Sequence, residues 1–253
     1  MHFAPDHGMG TPVEPTWTSW QGHALVVGGG GIGRALLTQL QLQAPQLQVH
    51  LATRSPRVGD ACALDLTDDT SLQALQAMAE SRWQPLRLVI NTAGLLHGAG
   101  LQPEKRLGAV ERRALEASFA VNAFGPLLLA QAVGGALARD QPCHFASLSA
   151  RVGSIGDNQL GGWYSYRGAK AAQNQLLRTL AIEWRRRLPH CCVSLLHPGT
   201  TATALSRPFQ GSVAPDRLFT PARAADQLLQ VLSGLTAAHS GGFWAWDGQA
   251  IPW

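Results

Sequence analysis

The 253-residue chain contains two tyrosines, Tyr164 and Tyr166, both within WYSYRGAKAAQNQL at residues 163–176. The same stretch holds Lys170, one of only two lysines beside 18 arginines. Tyr166 and Lys170 are four residues apart and share a face on a helix, whereas Tyr164 meets only Gly168 at that spacing. With two tyrosines and two lysines, chance would produce such a pair about 2% of the time. A free phenol titrates near about 10 and is a weak acid–base group at neutral pH. An ammonium beside it favours phenolate and draws that value towards the working range. A planar guanidinium is no equivalent of this compact, rotatable cation, which explains a lysine in an arginine-rich chain. Tyr166 and Lys170 are therefore the candidate proton-transfer pair.

A second chemical stretch is Gly28-Gly29-Gly30-Gly31-Ile32-Gly33, which follows an apolar run and precedes a helical pattern. Gly28, Gly30 and Gly33 fit G-x-G-x-x-G, a turn that brings backbone N–H groups and a helix N-terminus to a pyrophosphate. A cofactor with free ribose hydroxyls meets an acidic residue after the second strand. Here that position reads Ala52-Thr53-Arg54-Ser55-Pro56-Arg57, with two arginines and no acid. Arg54, with Arg57 near it, suits a 2′-phosphate, so NADP(H) is preferred and NAD(H) remains possible.

The elements that must position these groups alternate along the chain. Strand-like runs cover 23–28, 48–53, 61–66, 86–94, 143–149, 191–197 and 243–247. Helical patterns run to about 43, then over about 68–83, 111–138, 164–188 and 221–235. Seven strands alternating with helices predict an α/β fold, a Rossmann-type doubly wound parallel sheet with helices on both faces. In such a sheet ligands bind beyond the carboxyl ends of the strands, where both motifs lie. Residues 1–20 read as an irregular arm without a secretory pattern, and 21–253 as a single domain.

Composition narrows the classes. Hydrophobic content of 45% with 14% charged residues suits a globular protein. No apolar run reaches membrane-spanning length. Cys62, Cys143, Cys191 and Cys192 lack zinc or CxxC spacing and read as thiols in a reducing cytoplasm; no metal site is expected. A net charge of +4 raises nucleic-acid binding, but no aromatic-basic interleaving accompanies the arginines. Arg185-Arg186-Arg187 fits a helix C-terminus instead.

From residue 23 onward the chain resembles the short-chain dehydrogenase/reductase family, through GGGGIG (28–33), ALDL (63–66), NTAG (91–94), VNAFG (121–125), SLSARVGSI (147–155), YRGAK (166–170) and HPGTTAT (197–203). Within it, GSIGDNQLGGWYSYRGAKAAQNQL and the tail FWAWDGQAIPW resemble the C-factor-like and sniffer-like carbonyl reductase branch. The resemblance implies Tyr166 as proton donor to a carbonyl, Lys170 on the nicotinamide ribose and Asn122 in a water relay behind it. Ser149 would hold the substrate oxygen, with Ser147 the alternative, since Ala150 takes the second place of the family's serine pair. Gly28, Gly30, Gly31, Ile32 and Gly33 would carry the pyrophosphate, and Asp65 and Leu66 would meet the adenine. Asn91, Ala93 and Gly94 would line the groove, while Pro198, Gly199, Thr200 and Thr203 would reach the nicotinamide end. The first turn has one residue fewer between its first two glycines than the family commonly shows. Implied partners are a small carbonyl or alcohol substrate and further copies in a homodimer or homotetramer, through helices 111–138 and 164–188. Neither nucleic acid nor membrane is implied. The segment Leu205 to Phe219 is expected over the site. The alternative is a nucleotide-binding signalling protein of C-factor type with little turnover.

Overall fold

A computed structural model describes residues 16–98 and 100–253. The elements in chain order are β1 (Gly22–Val27), α1 (Gly31–Gln43), β2 (Leu47–Thr53), β3 (Cys62–Ala63), α2 (Asp69–Arg82), β4 (Leu86–Asn91) and α3 (Arg112–Phe119). They continue with α4 (Gly125–Val133), β5 (Cys143–Leu148), α5 (Tyr164–Arg187), β6 (Cys191–His197), β7 (Thr200–Thr201), β8 (Leu218–Phe219), α6 (Pro221–Gly234) and β9 (Gly242–Ala245). Seven strands form one parallel sheet in the order β3-β2-β1-β4-β5-β6-β9. The chain winds outward from β1 in one direction, then restarts at β4 in the other. The crevice beyond β1 and β4 is thus the switch point where this fold type binds ligands.

The apolar runs become strands because both sheet faces are covered. Leu25, Val27, Val89 and Phe145 pack under α2, α4 and α5, while Ala24, Val26, Leu88 and Ile90 pack under α1 and α6. Every residue of β4 and of β5 is buried, as continuous apolar runs in a two-sided sheet require. Asp68 caps α2 by accepting from the Thr70 N–H, and Thr220 caps α6 through the Arg223 N–H, with Pro221 opening that helix. Arg185, Arg186 and Arg187 occupy the last turn of α5, as their pattern predicts. Among the described residues no helix is long and apolar enough to cross a membrane.

Several boundaries differ from the sequence pattern; the strands expected over 86–94 and 243–247 end at Asn91 and Ala245. The strand expected over 61–66 shrinks to Cys62–Ala63, because it is an edge strand paired only to β2. The helix expected over 111–138 is interrupted by a π turn at Ala120–Phe124 and ends at Val133. Gly134 is its C-cap, and the chain then turns to let Ala136 and Ala138 bond both sides of Leu86 (2.8 and 2.9 Å). Of the arm expected over 1–20, residues 1–15 lie outside the described residues. Thr16–Ser19 form a 3₁₀ turn, and Trp17 and Trp20 are buried against His144.

Candidate active site

A groove of about 660 Å³ runs along the carboxyl ends of β1, β2, β4, β5 and β6, from Arg54 at one end to Tyr166 at the other. Its size is that of a small-molecule site.

The first half is built by backbone. Gly28 stands at φ 106°, a conformation that favours glycine, and turns β1 out of the sheet. A Cβ on Gly33 would lie 1.9 Å from the Gly28 carbonyl oxygen and 2.8 Å from Thr92 Oγ1. Only glycine permits that close packing of turn and helix. Thr92 secures the turn by donating its hydroxyl to the Val27 carbonyl at 2.9 Å. Gly30 sits at the N-cap of α1 and offers no side-chain cap, so the first N–H groups of the helix face the groove unshielded. A bound anion there is favoured by those N–H groups and by the helix dipole. Gly31, Ile32, Ala93, Gly94, Asp65 and Leu66 line the same half.

Arg54, Ser55 and Arg57 line its outer rim. Arg34 lines it too, but its guanidinium is held bidentately by Asp60 at 2.9 and 3.2 Å. That arginine keeps the Asp60 carboxyl below the usual carboxylate range, helped by the Arg57 backbone N–H. One rim cation is therefore neutralised by a loop acid, while Arg54 projects from the strand end. Asp65 accepts from the Thr67 N–H and hydroxyl (2.9 and 2.7 Å), bonds that hold its carboxyl low.

The second half is made of side chains. Tyr166, Lys170, Ser149 and Leu148 line it together, with Pro198 and Thr203 from beyond β6. Tyr164 is 42% exposed and does not line the groove, so one face of α5 separates the two tyrosines as their spacing predicts. The Lys170 amine is buried, donates to the Leu148 carbonyl (2.8 Å) and to Gln173 Oε1 (2.9 Å), and lies 5.8 Å from the Tyr166 ring centre. Burial draws Lys170 down to about 7 and pushes the Tyr166 phenol above its ordinary value. This corrects the expectation of a lowered phenol: here desolvation outweighs the ammonium, which is directed at carbonyl oxygens.

Ser149 donates to Asn174 Oδ1 at 2.7 Å and borders the groove. Ser147 lies deeper, accepting from Asn91 Nδ2 (3.0 Å) and Gln173 Nε2 (2.8 Å), and does not border it. Asn91 is buried beneath the groove, where its Oδ1 accepts from the Ala93 N–H at 3.1 Å. Asn122, in the π turn, grips both backbone groups of Leu95 (2.7 and 2.9 Å) and donates to Ser118 Oγ at 3.1 Å. Its neighbour Val121 borders the groove in its place. Gly199 lies behind the groove against Phe219, and Thr200 borders an adjacent cavity.

That cavity is walled by Gly100 to Arg106, Trp163, Pro208 and Phe209. Part of the segment 205–219 therefore does border the site, in two 3₁₀ turns (Arg207–Ser212 and Pro215–Arg217) closed by the short β7–β8 pairing. Trp163 has φ 54°, a left-handed conformation costing a bulky residue roughly 1–3 kcal/mol. Its ring stands 6.3 Å from Tyr166 and 4.9 Å from Phe209. Thr92 and Arg34 were visible as neighbours of the motifs; Trp163 and Glu104 carry no local signal.

A model of the short chain dehydrogenase family matches residues 22–212. The chain belongs to that family. It is 34% identical to C-signal of Myxococcus xanthus over 170 residues, 67% of this chain and 93% of that protein. It is 32% identical over 192 residues to 1-hydroxy-2-glutathionyl-2-methyl-3-butene dehydrogenase of Rhodococcus sp. (strain AD45), covering 75% of this chain and 78% of the relative. Among solved structures it is similar to an NADPH-bound carbonyl reductase from chicken fatty liver (TM-score 0.80, 26% identity, 92% and 99% of the two chains). It shares the fold of the carbonyl reductase Sniffer of D. melanogaster (TM-score 0.77, 24% identity, 92% and 100%). The chain is thus an oxidoreductase by family, with a groove whose glycine turn and uncapped helix suit a nicotinamide dinucleotide.

Proposed function

We propose that the protein is an NADPH-dependent carbonyl reductase that converts an aldehyde or ketone to an alcohol with Tyr166 as proton donor. The observation that carries this reading is the meeting of Tyr166, Lys170 and Ser149 in one groove with the glycine turn. The nicotinamide cofactor, when bound, supplies the hydride. Tyr166 holds its proton because burial raises the phenol, so it serves as a donor to the developing alkoxide. Lys170 presents its amine at the groove for ribose hydroxyls. Ser149 must turn from Asn174 to reach a substrate oxygen. For Asn122, whose side chain is fixed on Leu95 and Ser118, the resemblance implies a water relay behind Lys170.

The phosphate-bearing cofactor is favoured by Arg54 at the rim and by the NADPH-bound relative. We take residues 21–253 as one domain working in the cytoplasm, where its four unpaired thiols stay reduced, and assembling as a homodimer or homotetramer. Light scattering that gave only about the 27.0 kDa of one chain would remove the assembly.

The test is a screen of carbonyl compounds following NADPH absorbance, with Tyr166→Phe and Tyr164→Phe beside the parent. Tyr166→Phe should lower kcat/KM by at least about 1,000-fold and Tyr164→Phe by less than about threefold, on the scale of a lost proton-transfer group. Turnover surviving Tyr166→Phe would end this reading. A second reading, a cofactor-binding protein of C-signal type with little turnover, is favoured by the Ser149 hydroxyl being engaged by Asn174. It predicts NADPH binding with no substrate reduced.

A further inference from the structure

Glu104 is a buried acidic residue, 4% exposed, and no step above uses it. It sits in the connection between β4 and α3, far in sequence from α5, yet it meets the first turn of that helix. Helix α5 begins without a side-chain cap, because Trp163 at its N-cap has none to offer. Its first N–H groups need partners from elsewhere. Glu104 supplies one for the first turn and one for the N-cap residue. Its carboxylate accepts from the Ser165 N–H at 3.2 Å and from the Ser165 hydroxyl, and its backbone carbonyl accepts from the Trp163 N–H at 2.5 Å. A carboxylate at this end also meets the positive pole of the longest helix.

The contact is one link in a closed circuit. The Ser165 carbonyl accepts from Ser118 Oγ (3.2 Å), Ser118 accepts from Asn122, and Asn122 holds Leu95 at the start of the same connection. Leu95 and Glu104 thus anchor their connection at two points, and Leu96, Leu101 and Pro103 join them and Tyr166 around a small cavity. Ser165 directly precedes Tyr166, and Trp163 contacts its ring. Removing the Glu104 carboxylate releases Ser165, while the backbone bond from the Trp163 N–H remains.

We propose that Glu104 is a positioning residue: it caps α5 from outside the helix, fixing Trp163 and Ser165 so that the Tyr166 hydroxyl is held towards the substrate. This rests on the carbonyl-reductase reading. The glycine turn and the N-terminus of α1 share none of these bonds, so the contacts expected to carry most of the cofactor's affinity do not pass through Glu104.

The test compares Glu104→Ala, Glu104→Gln and Ser165→Ala in the full chain, measuring kcat, substrate KM and NADPH affinity by cofactor fluorescence. Glu104→Ala should lose about 10- to 100-fold in kcat while NADPH Kd stays within about twofold. Glu104→Gln keeps an accepting oxygen and should recover kcat to within about fivefold of the parent. Ser165→Ala, which removes one of the accepted bonds, should cost about threefold. The inference is overturned if Glu104→Ala keeps kcat within twofold, if NADPH affinity falls in parallel with kcat, or if Gln is no better than Ala. Should Glu104→Ala not fold, the Gln and Ser165→Ala results decide by the same limits. An inert Tyr166→Phe beside a fully active Glu104→Ala refutes this inference alone, whereas an active Tyr166→Phe refutes the functional reading beneath it.

Discussion

The two ends of the groove are made of different material. At the glycine end, backbone does the work: the Gly28 turn, the open N-terminus of α1 and the Thr92 hydroxyl on the Val27 carbonyl. Its free rim cations, Arg54 and Arg57, lie in solvent, while Arg34 is paired with Asp60. At the tyrosine end the work falls to side chains from distant segments, and the charged groups, Lys170 and Glu104, are buried. The glycine end accordingly depends on shape and tolerates little added volume. The tyrosine end depends on satisfied hydrogen bonds, because a buried polar group left without a partner costs far more than one in water.

Gly33→Ala puts this contrast under the greatest strain. Its new methyl would press on the Gly28 carbonyl, and turn or helix must shift. NADPH binding should weaken by at least about 100-fold, about 2.7 kcal/mol, in a calorimetric titration. An unchanged Kd would show that the turn is not the seat of cofactor binding.

Lys170→Met addresses the buried charge. Lys170 titrates at about 7 in the fold and at 10.5 when unperturbed, so between these values the unfolded chain binds the extra proton. Stability from this group therefore rises with pH across that window and is lowest below about 7. Removing the amine should flatten the rise by up to about 1.4 kcal/mol per pH unit, read from urea unfolding between about pH 7 and 9.5. Parallel pH dependences for parent and variant would mean that the amine is not desolvated.

The smallest effect belongs to the solvated rim. Arg54→Ala should weaken NADPH by about 5- to 30-fold, corresponding to about 1–2 kcal/mol, while NADH changes by less than twofold. Equal losses for both cofactors would place Arg54 away from the 2′-phosphate.

This contrast also explains what could be read from residue order. The glycine turn, the arginines after β2 and the spacing of Tyr166 and Lys170 are local patterns, each complete within a few residues. The sheet was legible for the same reason, since buried parallel strands announce themselves as apolar runs between amphipathic helices. The breaks were less so: the π turn at Ala120–Phe124 follows from tertiary demands on Asn122 rather than from helix propensity. The burial of Tyr166, which reverses the expected direction for its phenol, and the depth of Lys170, whose amine Leu148 and Gln173 engage, both depend on distant segments. Glu104 stands 61 residues from Ser165, and nothing in PEKR distinguishes it from a solvated acid.

The two-residue pairing of β7 with β8 changes what kind of object lies between them. Thr200–Thr201 and Leu218–Phe219 are hydrogen-bonded neighbours, so the intervening chain leaves and returns at one point. It is a ring rather than a flap on a single hinge, with its ends already joined and the entropy of that closure already spent in the folded protein. Its two 3₁₀ turns lie inside that ring, and its base is registered two residues beyond Pro198, which lines the groove.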